Sequence, residues 1–421
     1  MRILFLTQIL PFPPDAGPRV KTWEVLRYLV AHGHQITLAV FVRQEELAHL
    51  GPVEALCDKV LTVPLKRSRL SDLWFWVRSQ FTNRPFLVER DDSRKMRSLI
   101  ASTLNKTHYD VIYADQLTMT QFVFPASEIK SQAYRIFDAH NATWTILERM
   151  RANARPWLKP LLHLEASRVK LYEGRVIDFF DRILAVTEID MLALKEAART
   201  FSPGAARLNH FSVIPITIDT DRVRPSAQAQ LSMHILTLGT LHYAPNAEGI
   251  RWFLRDVFPE IQATIPDVHL TIVGKNPPQD FLQQAARQPE RITVTGYVAD
   301  LQPYYDQAAV VVVPVLSGSG MRVRILEAFA RGKPVVTTTI GLEGIAAIPG
   351  EDVLTADSAI DFAQAVCDVL SNPRLLDRLA KKGRQLVEER YDASVALKLL
   401  DKVIAEAVKE PGRTEGQPVH Q

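Results

Sequence analysis

Short apolar runs recur along the chain, each followed by a polar turn and then by a stretch with helical spacing. The opening shows the unit. "RILFLT" reads as a strand and "QILPFPPDAGPR" as a loop, and "VKTWEVLRYLVAHG" places Val20, Trp23, Leu26 and Val30 on one helical face. Gly33 suits the helix end, and "HQITLAVFV" resumes a strand. The runs are nearly continuous in apolar residues, not alternating, so both faces of the sheet are expected to be covered, as in parallel βαβ units. "KVLTVPL", "DVIYAD", "YRIFDA", "RILAVT" and "FSVIPI" are further strands, with helical patterns in most of the gaps.

After "IPITIDTDRVRPSAQAQ", which has no clear periodicity, the alternation restarts. "HILTLGT", "VHLTIVG", "RITVTGY", "VVVVPV" and "PVVTTT" are five strand-like runs, with helical stretches such as "AEGIRWFLRDVFPEIQATI" between them. Two such series predict an α/β protein of two doubly wound parallel-sheet domains. The expected division is residues 1–212, a linker at 213–230, and a second domain at 231–390. A C-terminal helix at 391–408 is expected to pack back toward the first domain, and 409–421 reads as a flexible tail. In such sheets ligands sit beyond the carboxyl ends of the strands, so motifs there carry most weight.

A length of 421 residues exceeds one ordinary core, and 47% hydrophobic with 23% charged residues is ordinary globular composition. The longest apolar run, "AAVVVVPVL", is far too short to span a bilayer, and the N-terminus reads as neither signal nor transit peptide. Cys57 and Cys367 stand far apart, which argues against a disulfide framework and for a reducing, cytoplasmic setting. Charge is uneven. Residues 1–210 hold 29 Lys+Arg against 22 Asp+Glu, and 211–421 hold 21 against 25. The basic first half suits an anionic partner, or is simply scattered solvated charge.

"VVVVPVLSGSGMRVRILEAFARGKPVVTTT" is the most informative segment. Gly318 and Gly320 fall at a strand-to-helix turn, where glycine lets backbone approach a ligand. The helix expected to begin near Met321 offers unpaired N–H groups to an anion, and Arg322 and Arg324 add guanidinium forks matched to phosphate oxygens. Glu327 is an odd anion to keep beside a diphosphate unless it accepts hydroxyl protons, as from a ribose diol. The bland alternative is a solvent-facing turn whose arginines pair with acids. The pattern G-x-G-x-x-G fails, because Val323 stands where the third glycine belongs, and no G-x-x-x-x-G-K-[ST] occurs. That excludes dinucleotide oxidation and P-loop hydrolysis on motif grounds.

Gly17, in "PFPPDAGPRVKTWEVL", precedes the first helix and lets a ligand sit against its N-terminus; an ordinary helix entry led by Pro18 is the plain alternative. His140, in "IFDAHNATW", follows a strand, with Asn141 as a helix cap. Its neutral ring both donates and accepts near pH 7. No His or Cys spacing suggests a structural metal. "LKRSRLSDLWFWVRSQFTNRP" mixes Lys66, Arg67, Arg69, Arg78 and Arg84 with Trp74, Phe75, Trp76 and Phe81. Aromatics at such spacing more often form core, and a peripheral membrane face is the alternative. No nucleic-acid motif is present.

Taken together, "PFPPDAGPRVKTWEVLRYLVAHGHQITL", "DAHN", "FFDRILAVTEID", "VIPITIDTDRVRP", "VTGYVADLQPYYDQAAVVVVPVLSGSGMRVRILEAFARGKPVVTT" and "GLEGI" resemble the family 4 glycosyltransferases over nearly the whole chain. The resemblance implies the GT-B fold, two facing Rossmann-like domains with a cleft between them. It also implies retaining transfer from a nucleoside diphosphate sugar, UDP or GDP most of all, with no cofactor and no divalent metal. On matched positions, Glu327 binds the donor ribose, and the backbone at Gly320 and Met321 holds the diphosphate. His140 lies near the transferred sugar, Gly17 near the donor phosphates, and Tyr297 and Val298 hold the base. Two departures stand out. Ser319 occupies the place of the family's first glutamate, and "LGTLHYAPNAEG" lacks the usual Arg and Lys, so Arg322 or Arg324 is expected to take over their charge.

The implied activity is hexosyl transfer to a saccharide or lipid-linked acceptor in polysaccharide or glycolipid biosynthesis. Rival readings are a nucleotide-sugar epimerase or phosphorylase on the same fold, or a non-catalytic sugar-binding scaffold.

Overall fold

The computed structural model describes residues 1–65, 67–124, 132–204, 208–226, 232–318 and 320–409. The chain divides into two compact units, Met1–Thr217 together with the segment from Ala396 onward, and Ile218–Val395.

The first unit is built on seven strands: β1 (Arg2–Thr7), β2 (Gln35–Val42), β3 (Lys59–Pro64), β4 (Val111–Asp115), β5 (Tyr134–Ala139), β6 (Arg182–Ala185) and β7 (Phe211–Val213). All pair in parallel, in the order β3-β2-β1-β4-β5-β6-β7. Inner strands such as β4 and β5 are buried at every position, as their unbroken apolar runs require. The helix Gly17–Ala31 starts with Pro18 in its first turn, where the missing N–H costs nothing, and ends before Gly33 at φ +79°. Its buried face is wider than the apolar stripe alone, taking in Lys21 and Thr22, while Val30 is half-buried.

The second unit repeats the plan with β8 (His234–Leu238), β9 (His269–Val273), β10 (Ile292–Thr295), β11 (Val310–Val313), β12 (Val335–Thr337) and β13 (Leu354–Thr355). The order is β10-β9-β8-β11-β12-β13, again all parallel. In both sheets the first and fourth strands are neighbours and the order reverses between them. That junction is where open parallel sheets leave a crevice.

Residues 218–226 are tied to the second unit: Ile218 bridges Asp392, Thr220 donates to Asp392, and Arg384 donates to the carbonyls of Thr220 and Val223. Residues 227–231 and 410–421, which include part of the expected linker and nearly all of the expected tail, lie outside the described residues. The Lys398–Lys409 helix belongs to the first unit, where Tyr28 donates to Asp401 at 2.8 Å and Arg182 and Tyr134 bond Glu406.

At the β8/β11 junction the Ala244–Trp252 helix presses on the chain leaving β11. A Cβ at Gly249 would lie 1.7 Å from the Pro314 carbonyl oxygen, a backbone atom that cannot swing aside. Gly249→Ala is therefore expected to lose about 2–3 kcal/mol despite the better helix propensity of alanine. Guanidinium unfolding followed by circular dichroism checks this, and an alanine variant as stable as the parent would refute the close-packing argument.

Candidate functional site

In the first unit the parallel register sets Thr7, Asp115 and Asp138 side by side across the ends of β1, β4 and β5. Two neighbouring carboxylates, both essentially excluded from water, cannot stay ionised without compensation. One cation and one imidazole supply it. Lys21, from the Gly17–Ala31 helix and 1% exposed, makes an ion pair with Asp138, which also accepts from the Tyr113 hydroxyl. His140 Nε2 bonds Asp115 Oδ1 at 2.6 Å, and Thr7 and Thr22 hydroxyls donate to the other oxygen at 2.7 and 2.9 Å. Burial works to raise the Asp115 pKa. The charge and hydrogen bond of His140, with the two threonines, outweigh it and hold the carboxyl below its ordinary value. The ring's Nδ1 is the nitrogen left for anything bound at this strand end. The Asp115, Asp138 and His140 ligand atoms lie within 4.8 Å of one another, a spacing that suits a metal ion, yet Lys21 already neutralises one carboxylate there.

Asn141 does not cap the following helix, contrary to expectation. The Thr143–Asn153 helix has Ala142 at its N-cap without a side-chain bond. Its first N–H groups instead reach Glu173 of the Lys159–Phe179 helix, from Thr143 N at 2.7 Å and Trp144 N at 3.4 Å. A carboxylate thirty residues away displaces the local cap because it satisfies two orphan donors at once. Burial, reinforced by Asp190, pushes the Glu173 carboxyl up to about 8 against those hydrogen bonds. Gly17 opens its helix as expected, with Ala16 at the N-cap and no side-chain cap bond, so no side chain of the N-cap residue covers the first N–H groups.

In the second unit the turn after β11 carries Gly318 at φ +108° and Gly320 at φ +85°, conformations that an L side chain rarely adopts. Ser319 between them lies outside the described residues. Thr338 Oγ1 donates to the Val315 carbonyl at 2.5 Å and Thr337 Oγ1 to Val313 at 2.7 Å, fixing the start of this turn from β12. The helix begins at Val323, two residues later than expected, with Arg322 as N-cap. Arg322 donates to the Gly320 carbonyl, and Met321 is buried beneath the turn. Arg324 Nη1 donates to the Leu238 carbonyl at 3.0 Å, so this guanidinium reaches the end of β8, at the strand-order reversal. Gly239 makes room for it: a Cβ there would lie 2.6 Å from Nη1. Burial and the neighbouring Arg322 lower the Arg324 pKa to about 10, which leaves it charged at neutral pH.

Glu327 sits half-buried one turn further on, and its carboxylate has no hydrogen bond or ion pair among the described residues. Burial raises its pKa, with Arg331 opposing. Arg331 stacks over the Tyr305 ring at 4.4 Å. Arg324 Nε, Arg331 Nε and the Tyr305 hydroxyl are buried and have no hydrogen-bond partner among the described residues. Buried polar atoms without partners are rare, and three beside this carboxylate are what a polar ligand would satisfy. Tyr297, mostly exposed on the loop after β10, is capped by Lys275 Nζ at 4.5 Å from its ring, and Val298 beside it is half-buried.

Sequence reading thus singled out His140, Arg322, Arg324 and Glu327 but missed Lys21, Asp115, Asp138, Glu173, Tyr305 and Arg331. Acids at the ends of "VIYAD" and "YRIFDA" were the available signal: a charge closing a buried strand needs a reason.

The Glu173 shift has a signed consequence. A carboxyl whose folded pKa is about 8, above its ordinary 4.5, favours the folded state most below pH 4.5, and that favour is lost as pH rises toward 8. Glu173→Gln is expected to remove this component, so that the variant gains on the parent by up to about 1.4 kcal/mol per pH unit across that window. Urea unfolding at several pH values checks it, and a pH-independent difference between the two proteins would contradict the assignment.

Residues 232–372 match the family model described as Glycosyl transferases group 1. The chain is 22% identical over 406 residues, 93% of its own length and 97% of the other, to an uncharacterized 44.6 kDa protein in the cps region of Klebsiella pneumoniae. It is 27% identical to the phosphatidyl-myo-inositol mannosyltransferase of Mycobacterium leprae, over 54% of this chain and 60% of that one. Among solved structures, Anabaena HepE in complex with UDP superposes with a TM-score of 0.69 at 14% identity, over 96% of this chain and 100% of that one. The same protein has also been solved with UDP-glucose, at a TM-score of 0.64 and 15% identity over 97% and 99% of the two chains. The twin parallel sheets and these neighbours show the GT-B fold, and over residues 232–372 the chain is similar to the group 1 glycosyl transferases.

Proposed function

We propose that the chain is a retaining hexosyltransferase that takes a sugar from a nucleoside diphosphate donor, UDP-linked in the first instance, and passes it to a saccharide or lipid-linked acceptor. The observation that carries this reading is the set of unpartnered polar atoms around Glu327. The turn of Gly318 and Gly320, the N-terminus of the Val323–Ala330 helix, and Arg322 and Arg324 offer preorganised positive charge to a diphosphate. Glu327, without a hydrogen bond or ion pair to its carboxylate among the described residues, accepts hydrogen bonds from the ribose hydroxyls. Met321 and Gly320 supply backbone to the same turn, and Tyr297 and Val298 flank the base. HepE binds UDP and UDP-glucose by its described complexes, which supports the donor class. The cps-region relative supports a role in polysaccharide assembly. Cys57 and Cys367 are free and buried, which suits a reducing, cytoplasmic compartment.

In the reaction the bond between the anomeric carbon and the phosphate oxygen breaks, and a bond to the acceptor oxygen forms on the same face. The acceptor proton passes to the departing diphosphate, so no protein carboxylate pair is needed. Negative charge grows on that diphosphate, and fixed N–H dipoles and guanidinium groups there are the largest expected source of acceleration. His140, held through Nε2 by Asp115, is assigned to the sugar. Because Arg322 and Arg324 provide the cations, divalent metal is not required.

Thermal shift against UDP, GDP and ADP, each with EDTA, tests the donor assignment. UDP is expected to raise the melting temperature, with about 2.7 kcal/mol of stabilisation at a hundredfold excess over the dissociation constant. Arg322→Ala with Arg324→Ala is expected to abolish that shift while leaving the unliganded melting curve in place. Stabilisation by GDP alone would reassign the base, and no response to any nucleotide would favour the scaffold reading. Asp115→Asn is expected to lower turnover roughly 10–100-fold with nucleotide affinity unchanged, since it acts through His140. An equal loss of nucleotide affinity would assign Asp115 a different role.

A further inference from the structure

The aromatic segment after β3 is not core. The Arg69–Thr82 helix turns Leu70, Leu73, Trp74, Val77 and Phe81 to solvent, with Leu70 82% and Phe81 86% exposed. These positions are three or four residues apart, so they form one stripe along one face. A second stripe lies on the Lys159–Phe179 helix and the turn leading into it, where Trp157 is 70% exposed and Leu161, Leu164 and Leu171 follow at helical spacing. Arg168, on the same line between Leu164 and Leu171, donates to Gln80 at 3.0 Å and Asn83 at 3.2 Å. That contact sets the second stripe beside the C-terminal end of the first. Isolated exposed apolar residues are normal, whereas a contiguous set on two adjoining helices marks an interaction surface.

The charge beside it selects the partner. Arg67, Arg78 and Arg84 are held in ion pairs with Asp91, Glu89 and Asp92. Arg69, next to Leu70, and Arg155 and Lys159, on either side of Trp157, are exposed and make no ion pair among the described residues. Tryptophan and leucine with uncompensated cations at their margin is the composition that settles at a bilayer interface, rings in the headgroup region and cations on anionic phosphates. A second copy of the chain would bring these cations against their own kind. No helix among the described residues is long and apolar enough to cross a membrane. We propose that this two-helix face docks the first unit on an anionic phospholipid surface.

Flotation of the full-length protein with phosphatidylcholine vesicles, with and without phosphatidylglycerol, tests the docking. The protein is expected to float with the anionic vesicles and to be released by salt. Leu70→Ser with Phe81→Ser is expected to weaken partitioning at least about tenfold. Arg155→Glu with Lys159→Glu is expected to abolish the preference for anionic lipid. Both pairs are solvent-exposed, and an unchanged melting temperature and UDP shift establish that each variant is folded. No flotation of the parent, or equal flotation of the Leu70/Phe81 variant, overturns the proposal. So does sedimentation showing a dimer that the same variant splits, since the occupant is then a second copy.

Discussion

Two carboxylates side by side in the dry end of a sheet dictate much of the first unit. The register that pairs Asp115 with Asp138 is fixed by the flanking apolar residues of β4 and β5, and slipping it by one residue would turn the whole core face outward. The strands therefore force the two acids together, and the rest of the site answers them. Lys21 must be buried on the first helix to meet one, and His140 must fold back over the strand end to meet the other. Such a cluster is weak evidence for stability, because removing buried ions from water costs about as much as their attraction returns. Its value lies in direction: an imidazole bonded through Nε2 to a carboxylate that two threonines also hold has one orientation, and Nδ1 faces one way.

The second unit solves a related problem with opposite signs. There the strand ends carry cations, Arg322 and Arg324, and the acid is left alone. Arg324 is steered by a backbone carbonyl at the end of β8 through space that only glycine at 239 leaves open. A positive site with one unpaired carboxylate and several unpartnered donors is poorly satisfied by itself. A ligand with anionic oxygens at one end and hydroxyls at the other would complement it, as the proposed nucleoside diphosphate donor does.

Architecture was largely legible in the sequence, because parallel strands buried on both faces announce themselves as apolar runs and glycines mark their turns. β13, a two-residue strand, was too short to show any pattern. His140, just past β5, and Glu327, in the Val323–Ala330 helix, also stood out in the sequence. What escaped was everything defined by a distant partner. Lys21 reads as one polar position on an amphipathic helix, and only its meeting with Asp138, 117 residues on, makes it part of a site. Asn141 was the obvious local cap, and Glu173 displaced it because tertiary packing brought a buried carboxyl to the same N–H groups.

The aromatic helix at Arg69–Thr82 shows the same limit from the other side. Helical spacing tells which residues share a face but not whether anything will cover it. Among the described residues nothing covers either stripe, on helices joined by Arg168, and the three flanking cations make no ion pair there. Chance exposure would scatter apolar residues and leave charges neutralised by neighbours, as Arg67, Arg78 and Arg84 are a few residues away. Apolar and cationic groups left open together, on one face and nowhere in conflict, are what a surface both greasy and negative would require.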